Sequence, residues 1–63
     1  MCESNAYLVE GGQRKEVMKD VARILIDDGQ ATLIGILGER VVLEGVRLVE
    51  ANLMTHVIMF ERV

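Results

Sequence analysis

The chain has 63 residues, 51% of them hydrophobic, with one Phe, one Tyr, no Trp and a single Cys. A domain this short buries only about 60% of the surface its unfolded form exposes and needs a staple; a lone Cys excludes an internal disulfide, which leaves a metal or a second copy of the chain. Seven Lys and Arg against ten Asp and Glu give a formal charge of −3, and without a clustered basic run or an aromatic platform this argues against a nucleic-acid surface.

The chain opens with MCESNAYLV, which lacks the basic residues and apolar run of a targeting leader. NAYLV is predicted as the first strand, with Ala6 and Leu8 on one face and Tyr7 and Val9 on the other. EGGQ reads as a hairpin turn, because glycine accepts the positive φ that tight hairpins demand. The adjacent basic pair Arg14-Lys15 is followed at once by Glu16 and reads as a solvated turn edge. VARILID is the second strand, with Ala22, Ile24 and Ile26 opposite Val21, Arg23 and Leu25. Asp27-Asp28-Gly29 is a turn signal rather than a metal pair.

ATLIGIL follows, where Gly35 marks a bulge or a sharp bend at a barrel corner. LGER makes the third turn, and RVVLE and VRLVEA are further short strands. LMTHVIM connects the last two strands and places His56 in a turn, before the final strand HVIMFERV. Met18, Met54 and Met59 fill gaps in the core or an interface. The longest mostly apolar run, ATLIGILG, is far short of the ~20 residues of a membrane helix, so no membrane role is expected and the location is cytoplasmic, where a reducing environment suits a free thiol.

These stretches predict an all-β chain: one domain, residues 1–63, folded as a small barrel of short antiparallel strands. Neither strand face is cleanly polar, and the surplus of aliphatic residues implies a homodimer whose subunits meet on the barrel wall.

No catalytic constellation emerges from one His, one Cys and scattered carboxylates. Nothing in their spacing brings Cys2 and His56 together as a thiolate and imidazole pair. Cys2 stands out by position, since a cysteine beside the terminus offers a thiolate, an amide nitrogen and a free amine within chelating reach. If Met1 is retained, its amine, the Cys2 amide and the Cys2 sulfur bind in sequence; if it is removed, Cys2 alone supplies amine and thiolate. One chain holds too few donors, but a two-fold dimer with meeting N-termini supplies two sulfurs and two nitrogens. Planar sulfur and nitrogen donors suit Ni(II) or Cu(II) better than Zn(II), and Ni(II) is the sharper expectation. The plainer alternative is a terminal Cys with no role.

MCESNAYLV followed by EGGQRKEVMKDVARILIDDGQATLIGILGERVVLEG resembles the CooT-type family of small nickel-binding proteins over nearly the whole chain. The resemblance implies an SH3-like β-barrel homodimer with one Ni(II) held between subunits by Cys2, and a role in nickel delivery, with carbon monoxide dehydrogenase as the acceptor enzyme. His56 is a candidate auxiliary ligand. Members of this family are also catalogued as predicted RNA-binding proteins. Three readings follow: a nickel-binding homodimer that stores or delivers the metal and does not catalyse, an RNA-binding barrel, and a metal-free adaptor that docks a protein on its aliphatic face.

Overall fold

The computed structural model describes residues 3–63, and Met1 and Cys2 lie outside the described residues. Six strands follow in order: β1 (Ser4–Glu10), β2 (Gln13–Asp27), β3 (Gln30–Gly35), β4 (Arg40–Glu44), β5 (Val46–Asn52) and β6 (Val57–Arg62). They form one sheet in the order β4-β3-β2-β1-β6-β5. The all-β class read from the sequence holds.

The first two turns are built as their glycines require. Gly11 and Gly12 have φ of 60° and 78°, and Asp28 and Gly29 have φ of 50° and 79°. Each pair joins directly opposed residues, Glu10 to Gln13 and Asp27 to Gln30. Two central residues with positive φ define the type I′ hairpin, whose twist matches that of the strands it joins.

β2 is longer than the sequence suggests, with QRKEVMKD continuous with VARILID over 15 residues. It serves two partners in succession: β1 pairs along its first part, from Gln13 to Val21, and β3 along its second, from Val21 to Asp27. Three register shifts between Glu16 and Arg23 each place one extra residue on β2, and Asp20 there takes a φ of 53°. Bulges bend the strand that carries them and increase its twist, so β2 turns the sheet back over its own inner face.

The bulges also overturn the simple alternation expected for VARILID. Val21 and Ile24 both pack against the core, on the same side as buried Met18. The core consists of Ala6, Leu8, Met18, Ala31, Leu33, Leu43, Val46, Ile58 and Phe60. Phe60 and Leu33 are the largest fully buried side chains. Of the three methionines expected in the core or an interface, Met18 is buried and Met59 half-buried, and Met54 is 90% exposed at a loop tip, outside the core.

Two further expectations need correction. The ladder between β1 and β6 is parallel, with Asn5 opposite Val57 and Leu8 opposite Phe60, so the strands are not all antiparallel. Gly35 ends β3 instead of lying mid-strand, with Ile36 and Leu37 in the following loop, but it does mark a bend, facing the register shift between Val21 and Arg23 on β2 and accepting the Gly38 N–H at 3.0 Å. A Cβ on Gly35 would come within 2.5 Å of Glu39 Oε1, while that carboxylate accepts the Leu37 N–H at 3.0 Å. The Glu39 carboxylate thus lies over the Gly35 backbone.

The sheet wraps around the core without closing. β4 and β5 remain its edges, although Gly45 alone separates them in sequence. Hydrogen bonds from Val46 N–H to the Gly29 carbonyl (3.0 Å) and from Val63 N–H to the Gly45 carbonyl (2.9 Å) pin the seam. Arg62 adds to this end, donating to Glu10 Oε2 at 3.1 Å and to the Glu44 carbonyl at 2.6 Å.

Candidate functional site

The start of β1 lies at the bend of β2. Ser4 opposes Val21, and Val21 opposes Gly35 on its other side. Asn5 anchors this point twice: its Oδ1 accepts the Asp20 N–H at 3.2 Å, and its N–H donates to the His56 carbonyl at 3.0 Å. The bent β2 strand then reaches the next loop through the Ile36 N–H, which donates to the Asp20 carbonyl at 3.0 Å. The place where the chain enters the fold is thus flanked by the Leu53–His56 turn and the loop after β3.

The Leu53–His56 turn is organised by Asn52, whose Oδ1 accepts the N–H groups of Met54 and Thr55, each at 3.0 Å. A short side chain that accepts from backbone two and three residues on imposes a turn without any tertiary contact. His56 closes it with a φ of 62° and is half-buried. Its expected place in a turn is correct. The spacing of Cys2 and His56 gave no reason to expect them near each other, yet the parallel pairing of β1 with β6 sets the His56 carbonyl against Asn5, three residues after Cys2.

The same end of the molecule is apolar. Ile36 and Leu37 are 55% and 88% exposed, and Leu53 and Met54 are 73% and 90% exposed. These four side chains occupy the two loops that flank the start of β1. The opposite end carries the glycine hairpin and the Arg62 contacts.

No group of three or more His, Cys, Asp or Glu residues suited to a metal occurs among the described residues. The Met1 and Cys2 donors expected from the sequence lie outside the described residues. Asp27 and Asp28 sit at a hairpin as expected, with Asp28 in the turn itself. Among the described residues there is no helix long and apolar enough to cross a membrane.

Three of the seven basic side chains are engaged within the fold. Arg47 pairs with Glu61 and Arg62 with Glu10, while the Arg14 guanidinium lies 4.7 Å from the centroid of the Tyr7 ring. That contact occupies the one tyrosine that could have stacked on a base.

Comparison with known proteins adds two findings. The family profile described as "CO dehydrogenase accessory protein CooT" matches residues 1–61. The fold superposes on the solved structure described as "putative CooT from Carboxydothermus hydrogenoformans" with a TM-score of 0.86 and 26% identity, covering 98% of each chain. No curated protein sequence matches this chain.

Proposed function

This chain belongs to the family of CO dehydrogenase accessory proteins CooT, and from that premise we propose that it is a non-catalytic homodimer that binds Ni(II) as cargo and passes it to an acceptor enzyme, CO dehydrogenase. The observation that carries this reading is the extent of the family match, which begins at residue 1 and so includes the Met-Cys opening. Cys2 supplies the thiolate, and nitrogen donors come from its own amide and from the Met1 amine where Met1 is retained. Two copies of this short chelate complete a planar set of two sulfurs and two nitrogens, the arrangement that divalent nickel favours.

The fold supports this assignment from the described side. Asn5, held on both flanks, is a fixed point from which Cys2 is separated by three residues, a span of at most about 11 Å of extended chain. The His56 backbone carbonyl borders that fixed point, and its imidazole is the auxiliary donor in this reading. The exposed side chains at the two flanking loops give this end an apolar rim, fit for a second copy in the resting state and for the acceptor during transfer. A metal held by few donors at such a junction leaves by ligand exchange, as thiolates or imidazoles of the acceptor replace the donors one at a time. The protein works in the cytoplasm in this reading, where the thiol stays reduced.

The test is a Ni(II) titration of the metal-free protein beside the Cys2→Ser variant, read by thiolate-to-nickel charge-transfer absorption. Saturation at half an equivalent per chain, with the bands lost in the variant, is the expected result. Equal binding by both proteins would refute the chelate and redirect attention to the RNA-binding and adaptor readings.

A further inference from the structure

Of the seven basic residues, Arg14 rests on the Tyr7 ring, and Arg47 and Arg62 meet glutamates. Lys15 stands apart near the glycine hairpin, opposite Leu8. The remaining three, Lys19, Arg23 and Arg40, are exposed and form no ion pair among the described residues. They are scattered in sequence, but the register gathers them around the bend of β2. Arg23 faces Ile34 across one ladder, and Ile34 faces Arg40 across the next. Cross-strand partners share a face, so the two arginines bracket a half-buried isoleucine on the outer side of the sheet.

The carboxylates of this region do not pair with these cations. Glu39 accepts the Leu37 N–H and lies over Gly35, while Glu3 and Asp20 form no ion pair among the described residues. Along the outer face, the uncharged row Leu25, Thr32 and Val42 separates the arginines from Asp27 and Glu44. Lys19 and Arg23 flank Asp20 and Val21, on which the start of β1 rests: Asn5 Oδ1 accepts the Asp20 N–H, and Ser4 opposes Val21. The Ile36 N–H donates to the Asp20 carbonyl, which sets the exposed Ile36 and Leu37 beside the same bend.

We propose that this patch docks an acidic amphipathic helix of the acceptor enzyme, an inference that rests on the transfer reading above. Neighbouring strands lie about 4.8 Å apart, so Arg23 and Arg40, with β3 between them, stand about 10 Å apart. A helix rises about 1.5 Å per residue and returns to the same face after seven residues, a span of about 10.5 Å. Carboxylates at i and i+7 of such a helix meet both arginines, and an apolar residue at i+3 or i+4 covers Ile34. An extended segment fits less well, because the residues that share its face are spaced about 7 and 14 Å apart. A phosphate backbone would satisfy the arginines but has no apolar group to cover Ile34 and Ile36.

Docking at this patch sets the acceptor beside the place where the chain enters the fold. Recognition and transfer then fall to different residues: the arginines select and orient the partner, and the N-terminal donors release the metal. Exposed charges of this kind act mainly on the rate of encounter, and their effect falls as salt rises.

Surface plasmon resonance of the metal-free chain with nickel-free CO dehydrogenase, from about 50 to 500 mM salt, tests the proposal. The native chain is expected to bind, and more weakly at high salt. Arg23→Glu and Arg40→Glu should each weaken binding about fivefold, and the double variant about twentyfold or more. Lys15→Glu changes the net charge by the same amount at the distant hairpin and should leave binding close to native. Arg23→Gln with Arg40→Gln replaces the reversals if a Glu variant folds poorly by circular dichroism. The proposal is overturned if the native chain does not bind the enzyme, if the arginine variants bind as the native chain does, or if Lys15→Glu is equally damaging. It is also overturned if the arginines govern binding of a single-stranded RNA oligonucleotide and not of the enzyme. Cys2→Ser should dock as the native chain does while losing the nickel bands. A native chain without those bands thus refutes the nickel site, whereas a native chain that has them but docks independently of Arg23 and Arg40 refutes this face.

Discussion

Replacing Gly29 tests how far the fold depends on backbone conformation alone. Gly29 has a φ of 79°, and nothing lies within 4 Å of the position a Cβ would take. Gly29→Ala therefore adds no clash with neighbours, and its cost is the left-handed conformation itself, about 1–2 kcal/mol for an L-residue. Against this, alanine narrows the unfolded ensemble and returns about 0.4–1 kcal/mol. The net loss is about 1 kcal/mol, which in a domain of this size lowers the melting temperature by about 4–8 °C. Gly29→Asn should lose less than half as much, because Asn tolerates this region, as Asp28 already does at φ 50°.

The assay is thermal unfolding by circular dichroism at one fixed protein concentration, with amide exchange of Val46 followed in parallel. Val46 N–H donates to the Gly29 carbonyl, so its protection reports whether the turn keeps its type. An unchanged melting temperature in Gly29→Ala, or an equal loss in Gly29→Asn, would refute the assignment of the cost to φ. Collapse of Val46 protection at a small thermal loss would mean that the turn had changed type instead of bearing strain.

Phe60→Ala empties the centre of the core at a cost of about 3–5 kcal/mol. Chains of this length have about 3–9 kcal/mol in total, so the variant should be largely unfolded at 37 °C by near-ultraviolet dichroism and urea titration, whereas Phe60→Leu should remain folded. Asn52→Ala removes both acceptor contacts that shape the Leu53–His56 turn and should cost about 1 kcal/mol, with faster exchange of the Met54 and Thr55 amides. A variant whose amides exchange as in the native chain would show that the turn is held from elsewhere.

Much of the secondary structure is legible from local chemistry. The Gly-Gly and Asp-Gly pairs specify type I′ hairpins, since the residues required at positive φ are adjacent in the chain and need no partner to act. Ala6 and Leu8, and Ala31 and Leu33, fall on the buried side as plain alternation requires. β2 resisted the same treatment because its bulges add residues that carry no sequence mark, and Met18, Val21 and Ile24 reach the core at intervals of three. QRKEVMKD did not read as a strand because its first four residues extend past the core and are exposed on both faces.

Of the candidate site, the sequence by itself offered the donor proposed above: a thiol at position 2 is chemistry carried by one residue and its neighbours, and a lone Cys excluded an internal disulfide. Only the tertiary structure decided what surrounds that terminus. The parallel pairing of β1 with β6 joins segments some fifty residues apart, and no local preference encodes which edge of β1 a distant strand will take. That choice brings the His56 carbonyl to Asn5 and sets two apolar loops beside the start of the fold. The Arg23–Ile34–Arg40 and Asp27–Gln30–Glu44 rows across β2, β3 and β4 have the same origin, because their members come to share a row only once the register is set by burial of the opposite face.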